Sequence, residues 1–122
     1  MAGQNILVAA SISPVVVNSA QLSTSEAALY TVPASTSVKI ATASICNITT
    51  GSVNVWLSIV KSGGTMGDGT HRILNSYPLA ANDSFSLKDL LGGAMLGPGD
   101  YIAGYAGTAT AIDLVLTGTV HA

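Results

Sequence analysis

The stretch Val53-Asn54-Val55-Trp56-Leu57-Ser58-Ile59-Val60 decides the fold class. Its odd positions are all apolar, and its even positions mix Asn, Trp, Ser and Val. That alternation is the pattern of a half-buried β-strand. The same period of two recurs outward from it. Phe85 and Leu87 alternate with Ser84, Ser86 and Lys88. Ile112, Leu114, Leu116 and Val120 share one face, with Asp113, Thr117, Thr119 and His121 on the other. Over residues 38–48 the even positions read Val38, Ile40, Thr42, Ser44, Cys46 and Ile48. The polar middle of that face predicts a β-bulge near Ala43-Ser44. Pro33-Ala34-Ser35, Thr49-Thr50-Gly51-Ser52, Ala81-Asn82-Asp83 and Gly97-Pro98-Gly99-Asp100 supply turn chemistry between the runs. Short strands between closely spaced turns predict an all-β chain: a single β-sandwich, jelly-roll or Ig-like, of about eight strands. One helical turn is expected at residues 87–91, stopped by Gly92-Gly93.

The first 25 residues differ from the rest, with no charged side chain and no aromatic. Val15-Val16-Val17 after Pro14 reads as a short strand, while residues 1–13 have no hairpin partner nearby in sequence. Fully extended, 25 residues reach about 80 Å at ~3.3 Å each. Residues 1–25 are therefore expected to form an extended N-terminal arm that contacts a neighbouring subunit, with residues 26–122 as the sandwich domain. A frayed terminus is the alternative, but Ile6, Leu7, Val8 and Ile12 are costly to leave in water. The expected interface residues are Ile6, Leu7, Val8, Ile12, Val15, Val16 and Val17, joined by Trp56, Tyr101 and Tyr105. The first basic residue is Lys39, so the charged start of a secretory signal is missing and the N-terminus reads as mature protein. No apolar run approaches the length of a membrane span, so no membrane partner is expected.

Charge narrows the function. Four basic and six acidic residues make 8% of 122, against about 25% in an ordinary domain. With 48% hydrophobic residues, this is not a charge-solvated disordered chain. Four scattered cations and a net charge of -2 cannot form a cationic face, so no nucleic acid is expected as a partner. Acid–base catalysis needs clustered titratable groups, and none is apparent, so no enzyme, catalytic residue or cofactor is predicted. The surface must be built largely from the 14 Ser and 12 Thr, with Asn, Gly and Ala.

Individual motifs agree with that reading. The glycine-rich stretch 63–70 lacks the G-K-[ST] closure of a phosphate loop and reads as a hairpin loop. His71, His121 and Cys46 have no metal-ligand spacing, so no metal is expected. As the single cysteine, Cys46 can form no intrachain disulfide. Asp83 and Asp100 sit as turn acids do, accepting backbone N–H bonds. Asn47-Ile48-Thr49 and Asn82-Asp83-Ser84 match the glycosylation pattern by chance of a Ser/Thr-rich composition. Trp56, Tyr77, Tyr101 and Tyr105 could make a sugar-stacking platform, with Tyr101 and Tyr105 on one strand face. Packing in the core or at a subunit interface is the competing role for the same rings.

Several segments in order carry a resemblance: Leu29-Tyr30-Thr31-Val32-Pro33-Ala34; the strand ending Cys46-Asn47-Ile48-Thr49; residues 53–61 with their glycine loop; Tyr77-Pro78-Leu79-Ala80-Ala81-Asn82-Asp83 running into Phe85 and Leu87; and Leu96-Gly97-Pro98-Gly99-Asp100-Tyr101-Ile102. Together, over residues 27–121, they resemble a small β-sandwich domain of tailed-bacteriophage structural proteins. The resemblance implies virion assembly without catalysis: a capsid decoration protein, with the major capsid protein or other virion proteins as partners, and a homo-oligomer. It implies location in the virion after synthesis in the host bacterial cytoplasm. A tail, collar, baseplate or fibre component is the neighbouring alternative, and a carbohydrate-binding β-sandwich module is the alternative from another class.

Overall fold

The alternation at residues 53–60 becomes strand β4 (Val53–Val60), whose Val53, Val55 and Leu57 are buried in the core. The computed structural model of the chain describes residues 12–66 and 71–122. Around β4 run β1 (Ile12–Gln21), β2 (Ala27–Thr31), β3 (Ser37–Asn47), β5 (Arg72–Leu79), β6 (Ser84–Ser86), the single-turn helix α1 (Lys88–Leu91), β7 (Met95–Leu96), β8 (Tyr101–Ala106) and β9 (Ile112–His121). Two antiparallel sheets pack face to face as a β-sandwich. One has the order β1-β9-β3-β6, with β7 also on β3; the other has the order β2-β8-β4-β5. The described residues thus hold nine strands where about eight were expected, because the short pieces β6 and β7 both line β3. Most connections cross from one sheet to the other; β4–β5 is a hairpin within one sheet.

Facing side chains of the two sheets make the core. Ile40, Ile45, Leu114 and Leu116 from one meet Val55, Leu57 and Ile102 from the other. Tyr77 on β5 and Phe85 on β6 stack at 4.7 Å and close one edge between the sheets. Within the segment expected as an arm, Ile12–Gln21 forms β1 and pairs with β9 of the same chain, Ile12 opposite His121 and Gln21 opposite Asp113. Its partner lies at the far end of the sequence, which is why no neighbouring segment offered one. Residues 1–11 lie outside the described residues.

The bulge in β3 falls two residues before the expected Ala43-Ser44. Ile40 faces Gly118 and Thr42 faces Thr117, leaving Ala41 as the extra residue. Burial parity switches there. Val38 and Ile40 are buried before it, and Ala43, Ile45 and Asn47 after it. Thr42 and Ser44 are thereby turned out to solvent, so the polar middle of the even face never enters the core. On the other side of β9, β1 has its own irregularity between Val16 and Asn18. Gly118 sits between the two, and a Cβ there would drive into the Lys39 carbonyl.

Asn47 ties the end of β3 to two turns. It is fully buried. Its amide nitrogen donates to the carbonyls of Gly51 (2.8 Å) and Leu79 (3.0 Å), and its oxygen accepts from the Thr49 N–H (2.9 Å) and the Thr49 hydroxyl (2.7 Å). A side chain so engaged is a structural staple and offers no free amide to a glycan. Asp100 plays the turn role read from the sequence: its two oxygens accept from the N–H groups of Ser62 and Gly97, each at 2.9 Å. The helical turn forms at Lys88–Leu91 and buries Leu91.

Substituting Gly118→Ala is expected to cost about 3 kcal/mol, the upper part of the range for overpacking. Gly51→Ala, where the added carbon meets nothing within 4 Å, should change stability by less than ~0.5 kcal/mol. Urea unfolding of the two variants checks both values.

Candidate functional site

Aromatic and charged side chains meet on the outer face of the four-stranded sheet. Pairing places Trp56 opposite Tyr105, and Ser58 opposite both Ala103 and Arg72. The Trp56 and Tyr105 rings stack with centroids 4.4 Å apart and planes 3° from parallel. The Arg72 guanidinium lies over the Tyr105 ring, 5.6 Å from its centroid. Arg72 Nη1 also donates to Glu26 Oε1 at 2.8 Å and to Ser58 Oγ at 3.2 Å. The ion pair is well shielded, with side-chain exposures of 15% for Arg72 and 12% for Glu26.

This cluster explains a departure from simple alternation. Ser58, Val60 and Ala103 lie on the outward face of their strands yet are buried. Arg72 reaches across Ser58. Beside Val60 the chain turns back at residues 61–64, where a Cβ on Gly64 would meet Val60 Cγ1 at 2.8 Å. The Tyr101 hydroxyl donates to the Gly64 carbonyl at 3.0 Å and holds that turn.

Of the expected interface residues, Trp56 and Tyr105 are brought together and Tyr101 is not. Tyr101 and Tyr105 share a strand face as read, but the buried Ala103 separates them and each has its own neighbours. The Tyr105 ring is engaged by Trp56 and Arg72, so the aromatics form a packed stack and no continuous open platform. Ile12, Val15, Val16 and Val17 lie on β1, in the sheet of their own chain. Ile6, Leu7 and Val8 lie outside the described residues.

Sequence reasoning missed Glu26 and Arg72. The available signal was scarcity: with so few charges, one at a strand start and one just before a strand are candidates to pair. Elsewhere, burial pushes the Tyr30 phenol above its ordinary value. The neutral phenol is the form the fold favours, so this contribution holds below the unfolded value and is lost as pH rises past it. Among the described residues no three His, Cys, Asp or Glu side chains converge on a possible metal position. Cys46 is a half-buried free thiol, and the buried His121 meets Thr119 Oγ1 through Nε2 at 2.9 Å. No helix among the described residues is long and apolar enough to cross a membrane.

The arrangement can brace a sheet face. An exposed ion pair contributes at most ~1 kcal/mol, and breaking a fully buried one costs ~3–5 kcal/mol. Arg72→Ala is expected to fall between them, at about 2 kcal/mol in urea unfolding. Arg72→Lys should recover less than half of that loss, because an ammonium cannot bind Glu26 and Ser58 and stack on Tyr105 with one planar group. Compared with models of known protein families, with curated proteins and with solved structures, the chain matches none.

Proposed function

We propose that this chain is a non-enzymatic structural protein of a tailed-phage virion, a capsid decoration protein that binds and stabilises the head lattice. The observation that carries the reading is the neutral surface. Only ten of the 122 side chains are Asp, Glu, Lys or Arg, whereas 26 are Ser or Thr. Joining such a surface to a partner requires little charge to be stripped of water. The resemblance of residues 27–121 to phage sandwich domains supports the same class.

A border for the lattice contact is at hand beside β3. Ile48, Leu90 and Met95 are exposed at 50%, 44% and 49%. They lie just past the end of β3, on α1 and on β7, the segments that flank the strand. Burying such side chains against a partner is favourable, at about 25 cal/mol per Å² of apolar surface. Repeated over many lattice positions, modest contacts add up to firm attachment.

Purified chain mixed with mature heads lacking it should co-sediment and saturate at a fixed number of copies per lattice unit. Leu90→Lys with Met95→Lys should lower occupancy at least tenfold while leaving the melting curve unchanged. Absence of binding to mature heads rejects the decoration role, and attachment only to tails moves the protein to that part of the virion.

A further inference from the structure

The outer face of the five-stranded sheet is a different surface. One row crosses four strands as Ser19, Val115, Ser44 and Ser86, all exposed. The next holds Thr117 and Thr42, whose hydroxyls are hydrogen-bonded to each other. Among the described residues, two charged groups occupy this face. Asp113 lies at one end of β9. Lys39 lies on the neighbouring strand β3, opposite Thr119 at the other end. From Asp113 to Thr119 the strand advances about 20 Å at ~3.3 Å per residue. The neutral rows of Val115 and Thr117 fall midway.

That layout is self-complementary. We infer that this face binds a second copy of the chain, outer sheet to outer sheet. The two-fold axis lies in the plane of contact, perpendicular to the strands, between the Val115 and Thr117 rows. Rotation about it reverses strand direction and keeps lateral order. Val115 then packs over the Thr117 row of the second copy, and Lys39 comes over the end that carries Asp113. Lys39 and Asp113 stand one strand apart, a spacing of about 4.8 Å that a lysine side chain spans. Because the axis is two-fold, the opposite-charge contact forms twice. The alternative axis, parallel to the strands, would set Lys39 near Lys39 and Asp113 near Asp113, so the charges select one arrangement. Cys46 shares the Asp113 row, so the two Cys46 thiols stand at opposite ends of the interface and cannot bridge it.

The dimer stands apart from the virion reading: it is a property of the isolated chain, and either can fail without the other. Sedimentation velocity over a range of concentrations tests it. The wild type should show a concentration-dependent monomer–dimer equilibrium. Lys39→Glu and Asp113→Lys should each weaken it at least tenfold, and combining them should restore it to within about threefold. Val115→Arg, at an exposed central position, should give a monomer with an unchanged melting curve. If Asp113→Lys alone unfolds the chain, the Lys39→Glu and Val115→Arg results decide. A wild type that stays monomeric at the highest concentration, or folded variants that associate as it does, overturns the inference.

Discussion

Strand β9 can lie as close to β3 as it does because residue 118 has no side chain. A Cβ at that position would occupy the space of the Lys39 carbonyl, and the bulges of both flanking strands lie beside it. The bulge at Ala41 then decides which residues of β3 face inward. Before it the even positions are buried, and after it the odd ones. Ala43, Ile45 and Asn47 reach the interior through that switch, and Thr42 and Ser44 reach the surface. The four bonds of the Asn47 amide and the hydroxyl rows of the outer face are both downstream of one missing side chain.

The two outer faces solve different problems. On the four-stranded sheet, Trp56, Tyr105, Arg72 and Glu26 lean on one another and cover their own small neighbours. On the five-stranded sheet the outward groups of the central rows, Thr42, Ser44, Ser86, Val115 and Thr117, are short, and nothing among the described residues lies over Thr42, Ser44 or Val115. A sheet with short outward side chains is a flat object, and flat neutral objects suit contact with another flat surface. The sparse charge read from composition is thus unevenly distributed in its effect.

Much of the fold was legible because alternation is a local property. β4 and β9 follow their apolar periodicity over nearly their whole length, and α1 sits where Leu-Lys-Asp-Leu-Leu meets two glycines. The bulge was misplaced by two residues because Thr42, Ser44 and Cys46 make the face polar wherever the extra residue is inserted. The decisive signal, Gly118, lies on another strand. The pairing of β1 with β9 was not legible, since nothing local in either segment names the other. The Arg72–Glu26 pair was hidden for the same reason, whereas the aromatic residues of that face stood out by type.

The pairing of β1 with β9 also governs how the chain comes into being. Gln21 bonds to Asp113 across 92 residues of sequence. At ~5–20 residues per second, ribosomal synthesis leaves the first strand waiting on the order of five to twenty seconds for its partner to emerge. Through that interval the Val15-Val16-Val17 run has no sheet to join. The five-stranded sheet therefore cannot be completed until the last strand has been made.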